Sequence, residues 1–152
     1  MKTLAVESCQ CELTDRVRQV RPETARRWGT MNAHQMICHL ADGFRLYMGL
    51  RPAKNESTLL MRTAGKWVAL WAPLPWPHGF RTVPELDQER DGTKPGDFER
   101  DREDLATLVG RTVGRPKHFP WPTHPHFGRL SESEWLRLGY LHTNHHLRQF
   151  GC

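Results

Sequence analysis

The sequence has no apolar run that approaches the about 18 residues needed to cross a membrane. Its first residues reach Glu7 without an extended apolar segment, which argues against a secretion signal. It also has no second cysteine pair at zinc-finger spacing; the four cysteines are Cys9, Cys11, Cys38 and Cys152. We therefore predict a cytoplasmic protein with reduced thiols and no membrane partner.

Charge of one sign is not concentrated anywhere along the chain. The net charge is +5, from 22 basic and 17 acidic side chains. The basic residues are scattered, and no basic stripe with interleaved aromatic residues is present. Because a nucleic-acid surface needs such a stripe, we predict no nucleic-acid partner.

The sequence also lacks the strict alternation of apolar and polar residues that strands require, whereas helical periodicity recurs. We predict helices over residues 8–20, from Thr30 or Asn32 to Met48, from Ser57 to Trp71, from the cap Asp97 to Arg111, and from the cap Ser131 to Gln149. Long proline-containing loops follow the third and fourth helices. The pattern indicates an all-α protein, a single domain over residues 1–152, built as a four-helix bundle with a crossover connection and a short extra helix.

The last helix carries three of the nine histidines within five residues: His142, His145 and His146. At about 100° per residue, His142 and His146 fall about 20° either side of Trp135, at the centre of one helical face. His145 lies about 80° away, where a supporting or a surface role are both open. Two imidazoles at positions i and i+4 can point at one spot.

The second helix offers His34 or His39 as a third imidazole. His39 shares its side with Met36, Gly43 and Leu46, whereas His34 shares its side with more polar neighbours, so the pattern favours His39. Three neutral imidazoles with open coordination positions suit Zn, Ni or Fe. The alternative is a pair filled by packing or ion pairs. The zincin motif is absent, because Thr143 follows His142.

Two parts of the sequence resemble the DinB-like superfamily. Residues 28–42, WGTMNAHQMICHLAD, resemble its second-helix signature. Residues 124–151 contain HPHFG, then EW, then HTNHHLRQFG, and resemble its last helix, in particular an uncharacterised subfamily (a domain of unknown function) with the pattern HP-x-FG…EW…H-x-x-HH-L-RQFG. The two parts together cover under half of the chain.

The resemblance implies a four-helix bundle with one long crossover and a divalent transition metal, Zn or Ni, held by His39, His142 and His146. It implies a small-molecule substrate or a low-molecular-weight thiol, and a homodimer. Characterised relatives include thiol-dependent S-transferases, a mycothiol-dependent maleylpyruvate isomerase and metal-dependent hydrolases. The expected function is a thiol S-transferase, with a metal-dependent hydrolase or a non-catalytic, stress-related binding protein as alternatives. Arg45, Arg148 and His126 are candidates for anion binding, and His126 also for acid–base chemistry.

Overall fold

A computed structural model describes residues 1–152 and contains helices and no strands. The five α-helices are α1 Glu7–Gln19, α2 Ala33–Tyr47, α3 Lys66–Trp71, α4 Phe98–Val113 and α5 Glu132–Gln149. A π-helical turn, Met61–Gly65, leads into α3, and a 3-10 turn, Pro84–Leu86, follows it. The predicted all-α class is confirmed.

Four of the helices form a closed ring. Helix α2 packs against α4 and α5, and α1 packs against the same two helices on the other side. The fifth helix, α3, lies outside the ring and packs against α5. The long connection from α2 to α4 carries α3, so the fold is a helix bundle with one extra helix, as the sequence predicts.

The starts of the helices that carry histidines are fixed by capping boxes. The Asn32 side chain accepts from the backbone N–H of Gln35, and the Gln35 side chain accepts in return from Asn32. Ser131 and Glu134 form the same reciprocal pair at the start of α5. Caps of this kind contribute about 1 kcal/mol each. Both predicted helix starts are confirmed.

Helix α2 is the most enclosed element of the bundle. All but three of its 15 residues are buried, including the polar residues His39 and Asp42. Buried polar groups need hydrogen-bond partners, so each of these two side chains has to be satisfied from neighbouring elements. The partners come from α5 and from the connection around the 3-10 turn, and they define the site described below.

The third predicted helix is the least regular. Helical backbone begins near residue 59 and not at Ser57, and it passes through the π-helical turn before α3. The apolar side chains that predict this helix are exposed, because α3 has only one neighbour in the bundle; they are Leu60, Ala64, Trp67, Val68 and Trp71. No helix in the structure combines the length and apolar character that crossing a membrane would require.

Candidate metal centre

Three imidazoles meet between α2 and α5. His39, His142 and His146 each offer a ring nitrogen, and these nitrogens all lie within 4.8 Å of one another. The Nε2 atoms of His39 and His142 are 3.0 Å apart. Two nitrogens bound to one tetrahedral zinc ion lie about 3.3 Å apart, so the spacing fits a shared ion after a small adjustment.

His39 is oriented by a backbone carbonyl. Its Nδ1 lies 2.7 Å from the carbonyl oxygen of Leu86, at the end of the 3-10 turn. A carbonyl oxygen only accepts, so Nδ1 carries the proton and Nε2 has the lone pair. This contact directs the basic nitrogen of His39 towards α5.

His146 is oriented by a chain of two amide contacts. Its Nδ1 lies 2.8 Å from Oε1 of Gln149, and the Gln149 Nε2 donates to the carbonyl of Trp28 at 2.8 Å. The second bond fixes which end of the Gln149 amide faces the ring, so His146 donates from Nδ1. Gly29 permits this approach, because it has φ +78° and a Cβ there would lie 2.5 Å from the Gln149 Nε2. His146 therefore also presents Nε2 to the cluster.

His142 has a hydroxyl partner. Its Nδ1 lies 3.2 Å from the hydroxyl of Tyr47. A Cβ added at Gly43, one turn before Tyr47 on α2, would come within 3.5 Å of the His142 ring. A Cβ at position 43 would therefore be in ordinary contact with the ring, and the Tyr47 hydroxyl sets the direction of the ring.

The hydrogen bonds place one proton inside the cluster. Because His39 has no proton on Nε2, the 3.0 Å contact between the two Nε2 atoms requires His142 to donate, and Tyr47 then donates to His142. A metal ion at the centre needs the opposite tautomer of His142, with its proton on Nδ1 and donated to Tyr47. Metal binding and the Tyr47 hydroxyl are therefore coupled.

All three imidazoles are held in the neutral form. Burial lowers the pKa of His39, and burial followed by the neighbouring histidines lowers the pKa values of His142 and His146 well below the ordinary value. Metal ligation needs neutral imidazole, so protons are weak competitors at neutral pH.

Aromatic side chains from distant segments flank the cluster. Trp76, in the loop after α3, stacks over His142 with ring centroids 6.2 Å apart. His145 contacts Trp76 at 5.7 Å and Trp28 at 5.9 Å, and His78 stacks on Trp28 at 4.2 Å. His145 thus faces this aromatic group, and burial lowers its pKa to about 4.

His34, the rival on α2, is turned away from the three imidazoles. Its Nε2 lies 2.7 Å from Oδ2 of Asp101 on α4. The neighbouring Cys38 thiol points at the same carboxylate oxygen, at 3.6 Å. Burial, followed by the Asp101 charge, raises the pKa of Cys38 to about 12.

His124 and His126, which precede α5 in the chain, lie in a turn. The Nδ1 of His124 accepts from the backbone N–H groups of His126 and Phe127, both at 3.1 Å, and its ring stacks on Phe127. His126 packs edge-on against Phe80 and forms no hydrogen bond or ring contact with the three converging imidazoles. The arrangement supports a structural role for this loop, not acid–base chemistry at the cluster.

The two arginines that the sequence offered as anion-binding candidates have different surroundings. Arg45 is occupied by the carboxylates of Asp42 and Asp104. Arg148 is exposed near the end of α5. Arg45 therefore has its own protein partners and is not free to bind an anion.

Sequence reasoning missed the Tyr47 hydroxyl and the Leu86 carbonyl. Tyr47 follows His39 by eight residues on α2, with Gly43 between them, so the spacing H-x3-G-x3-Y carried a signal of a shared helical face. Every residue has a backbone carbonyl, so no residue type in the sequence marks the one at Leu86. Gln149, at the end of α5, also lies at the site, where it contacts His146.

The fold and the site define an all-helical bundle protein with a buried cluster of three neutral histidines. The chain matches the DUF1569 family, described as a protein of unknown function, over residues 3–151, and it belongs to that family. The expected membership of an uncharacterised family is thereby confirmed. No curated protein and no solved structure matches the chain significantly.

Proposed function

We propose that this protein is a DinB-like metal protein in which His39, His142 and His146 bind one divalent transition metal, Zn or Ni, through Nε2. The observation that carries the proposal is the direction of the three rings. Hydrogen bonds to the Leu86 carbonyl and the Gln149 amide leave two Nε2 lone pairs directed into one cluster, with the third Nε2 only 3.0 Å away. Lone pairs that face one another attract a cation.

We further propose that the metal serves a thiol S-transferase acting on small molecules. When bound, the ion would supply a cation able to stabilise a thiolate of low molecular weight or to lower the pKa of a water molecule. The chain's own contribution is to hold three neutral donors and to leave coordination positions free of protein ligands. Trp76, His145 and Trp28 would exclude bulk water and contact an organic substrate.

The metal is tested by elemental analysis of protein purified without a histidine tag. We expect at least one equivalent of a transition metal, or its uptake on reconstitution. His146→Ala should lose one equivalent while circular dichroism reports unchanged helix content. Less than about 0.2 equivalents after reconstitution with Zn or Ni would contradict the proposal.

A spectroscopic test separates the thiol transferase from the hydrolase. The Cys38→Ser variant, which lacks the nearest cysteine thiol, is loaded with cobalt and titrated with a small thiol such as glutathione. A new thiolate-to-cobalt charge-transfer band favours the transferase. If no band appears and activated esters are cleaved only by the loaded protein, the hydrolase is favoured. If neither occurs, the protein is a non-catalytic binding protein.

We also propose that the chain forms a homodimer through the exposed apolar side chains around α3. Trp67, on α3, is 60% exposed, and Leu59, just before the π-helical turn that leads into α3, is 79% exposed. Apolar groups that cluster on a surface favour association. Sedimentation should give a dimer for the natural chain and a monomer for Trp67→Glu; a natural chain that stays monomeric at high concentration would refute the dimer.

A further inference from the structure

A second group of metal-ligating side chains lies on the other side of α2. His34 and Cys38 are one helical turn apart on α2 and face Asp101 on α4. Their ligand atoms all lie within 4.8 Å of one another. We call these three residues the His34 cluster, and none of them takes part in the three-histidine centre.

The types of donor match one kind of ion. An imidazole nitrogen, a thiolate sulfur and a carboxylate oxygen are the three ligand classes of zinc. Their charges, zero, minus one and minus one, neutralise a divalent cation. A calcium or magnesium site would be built from oxygen atoms alone, so the sulfur and nitrogen favour a borderline-soft transition metal.

The distances are close to those of a bound ion. The thiol sulfur of Cys38 and Oδ2 of Asp101 are 3.6 Å apart. Sulfur and oxygen on one tetrahedral zinc ion are separated by about 3.6 Å. The His34 nitrogen lies 2.7 Å from the same oxygen and would move out by about 0.7 Å to share an ion.

The cluster is open on one side. The His34 and Asp101 side chains are 18% and 23% exposed, whereas Cys38 is buried. Oδ1 of Asp101 forms no hydrogen bond within the chain, since His34, Cys38 and the Gly96 N–H all contact Oδ2. An ion entering from solvent would therefore find a free carboxylate oxygen and room for a water ligand.

A hydrogen-bonded trio without metal is the competing interpretation. It accounts for the His34–Asp101 pair, which a surface ion pair would also form. It also lets the Cys38 S–H donate to Oδ2, but a thiol is a weak donor, so this contact alone contributes little to holding the thiol against a carboxylate. A metal ion bound by both groups would explain why the thiol faces the carboxylate.

We infer that the His34 cluster is a second transition-metal site, of the zinc type, with one coordination position left to water. On binding, the metal–sulfur bond replaces the S–H bond of Cys38 and the released proton goes to solvent. The His34 proton moves from Nε2 to Nδ1, so the imidazole stays neutral. This site does not depend on the three-histidine centre.

Cobalt titration of tag-free, reduced protein tests the site, because only a sulfur ligand gives a thiolate-to-cobalt band in the near ultraviolet. We expect the band to grow with one equivalent of cobalt in the natural protein. It should disappear in Cys38→Ser and persist in His142→Ala, which disables only the three-histidine centre. Cys11→Ser is the matched control, since Cys11 is exposed and belongs to neither group.

Two further variants guard against a folding artefact. Asp101→Asn and His34→Gln should each weaken cobalt binding by at least about tenfold, with helix content unchanged. No band at a several-fold excess of cobalt, or a band that survives in Cys38→Ser, would overturn the second site. Neither result bears on metal bound by the three histidines, which carry no sulfur.

Discussion

Helix α2 carries two buried polar residues, His39 and Asp42, whose surroundings differ in one decisive respect. The Asp42 carboxylate is surrounded by donors: Arg45, Arg51 and the Thr93 hydroxyl at Oδ1, and Gln88 and the Thr93 N–H at Oδ2. His39, by contrast, presents a lone pair to a second imidazole.

The two surroundings distinguish a structural cluster from a binding site. Both oxygens of the Asp42 carboxylate receive hydrogen bonds from the protein, so the carboxylate needs no further partner. Around His39 the acceptors face one another, and one shared proton is all that separates them. A buried polar group is therefore a candidate for metal binding when its hydrogen-bond partner is another metal-ligating group and the two share a single proton.

The largest expected effect comes from removing the Asp42 carboxylate, whose two oxygens are hydrogen-bonded within the protein. Asp42→Ala leaves Arg45 and Arg51 without their buried partner and should lower the free energy of unfolding by about 3–5 kcal/mol. Urea denaturation measures the change. Asp15→Ala removes an exposed partner of Arg18 and should change stability by less than about 1 kcal/mol. Equal effects of the two substitutions would mean that the contacts of Asp42 stabilise the protein no more than an exposed ion pair, and the distinction between a structural cluster and a binding site would then fail.

The three-histidine centre should gain stability only when metal is supplied. In the Cys38→Ser background, zinc at 100 times its dissociation constant should raise the free energy of unfolding by about 2.7 kcal/mol. The gain should vanish when His146→Ala is added, because the ion then lacks a ligand. Parallel urea curves with and without zinc provide the measurement; a gain that survives His146→Ala would place the ion elsewhere.

Removing a hydrogen bond to one of the histidines should have a smaller effect, which is a loss of affinity for the metal. Gln149→Leu removes the acceptor of the His146 Nδ1 proton and should weaken metal binding by about 10–100-fold. Competition with a chromophoric chelator measures this. Gln10→Leu is a matched control, because Gln10 also donates to a backbone carbonyl but lies on α1. Similar affinities of the two variants would mean that Gln149 does not position His146.

The smallest effect, taken per pH unit, concerns His124, a histidine whose Nδ1 is satisfied by backbone donors. Burial, followed by His126, lowers its pKa from 6.5 to about 3. The unfolded chain therefore binds one more proton between these pH values, and stability falls as pH drops from 6.5 towards 3. One proton corresponds to at most about 1.4 kcal/mol per pH unit.

His124→Asn should remove that contribution while it keeps an acceptor for the turn. The slope of unfolding free energy against pH should be shallower in the variant by up to one proton. Urea curves at several pH values between 6.5 and 3 supply the comparison. An unchanged slope would mean that the ring is already protonated in the folded protein or does not titrate there.

Local patterns in the sequence predict the helices well. The caps Asn32, Asp97 and Ser131 are confirmed, because capping depends on residues three or four positions apart. The prediction that His142 and His146 point at one spot also depends on residues only four positions apart. The faces of α2 and α5 therefore follow from the sequence with no knowledge of their neighbours.

The rest of the site depends on residues far apart in the chain. Helical spacing favours His39 but keeps His34 as an alternative, and the packing of α2 between α4 and α5 separates the two. The Leu86 carbonyl lies 47 residues from His39, and the His39–His142 contact spans 103 residues. Contacts of this range are set by the path of the loops, on which periodicity gives no information.

The Leu86 carbonyl has a consequence for how this family varies. The atom that orients His39 belongs to the backbone, so exchanging the side chain at position 86 leaves it in place. Its position depends instead on the number of residues between α3 and the Asp42 contacts at Gln88 and Thr93. We therefore expect this stretch to resist insertion or deletion, so that the orientation of His39 would be recorded in segment length more than in the identity of residue 86.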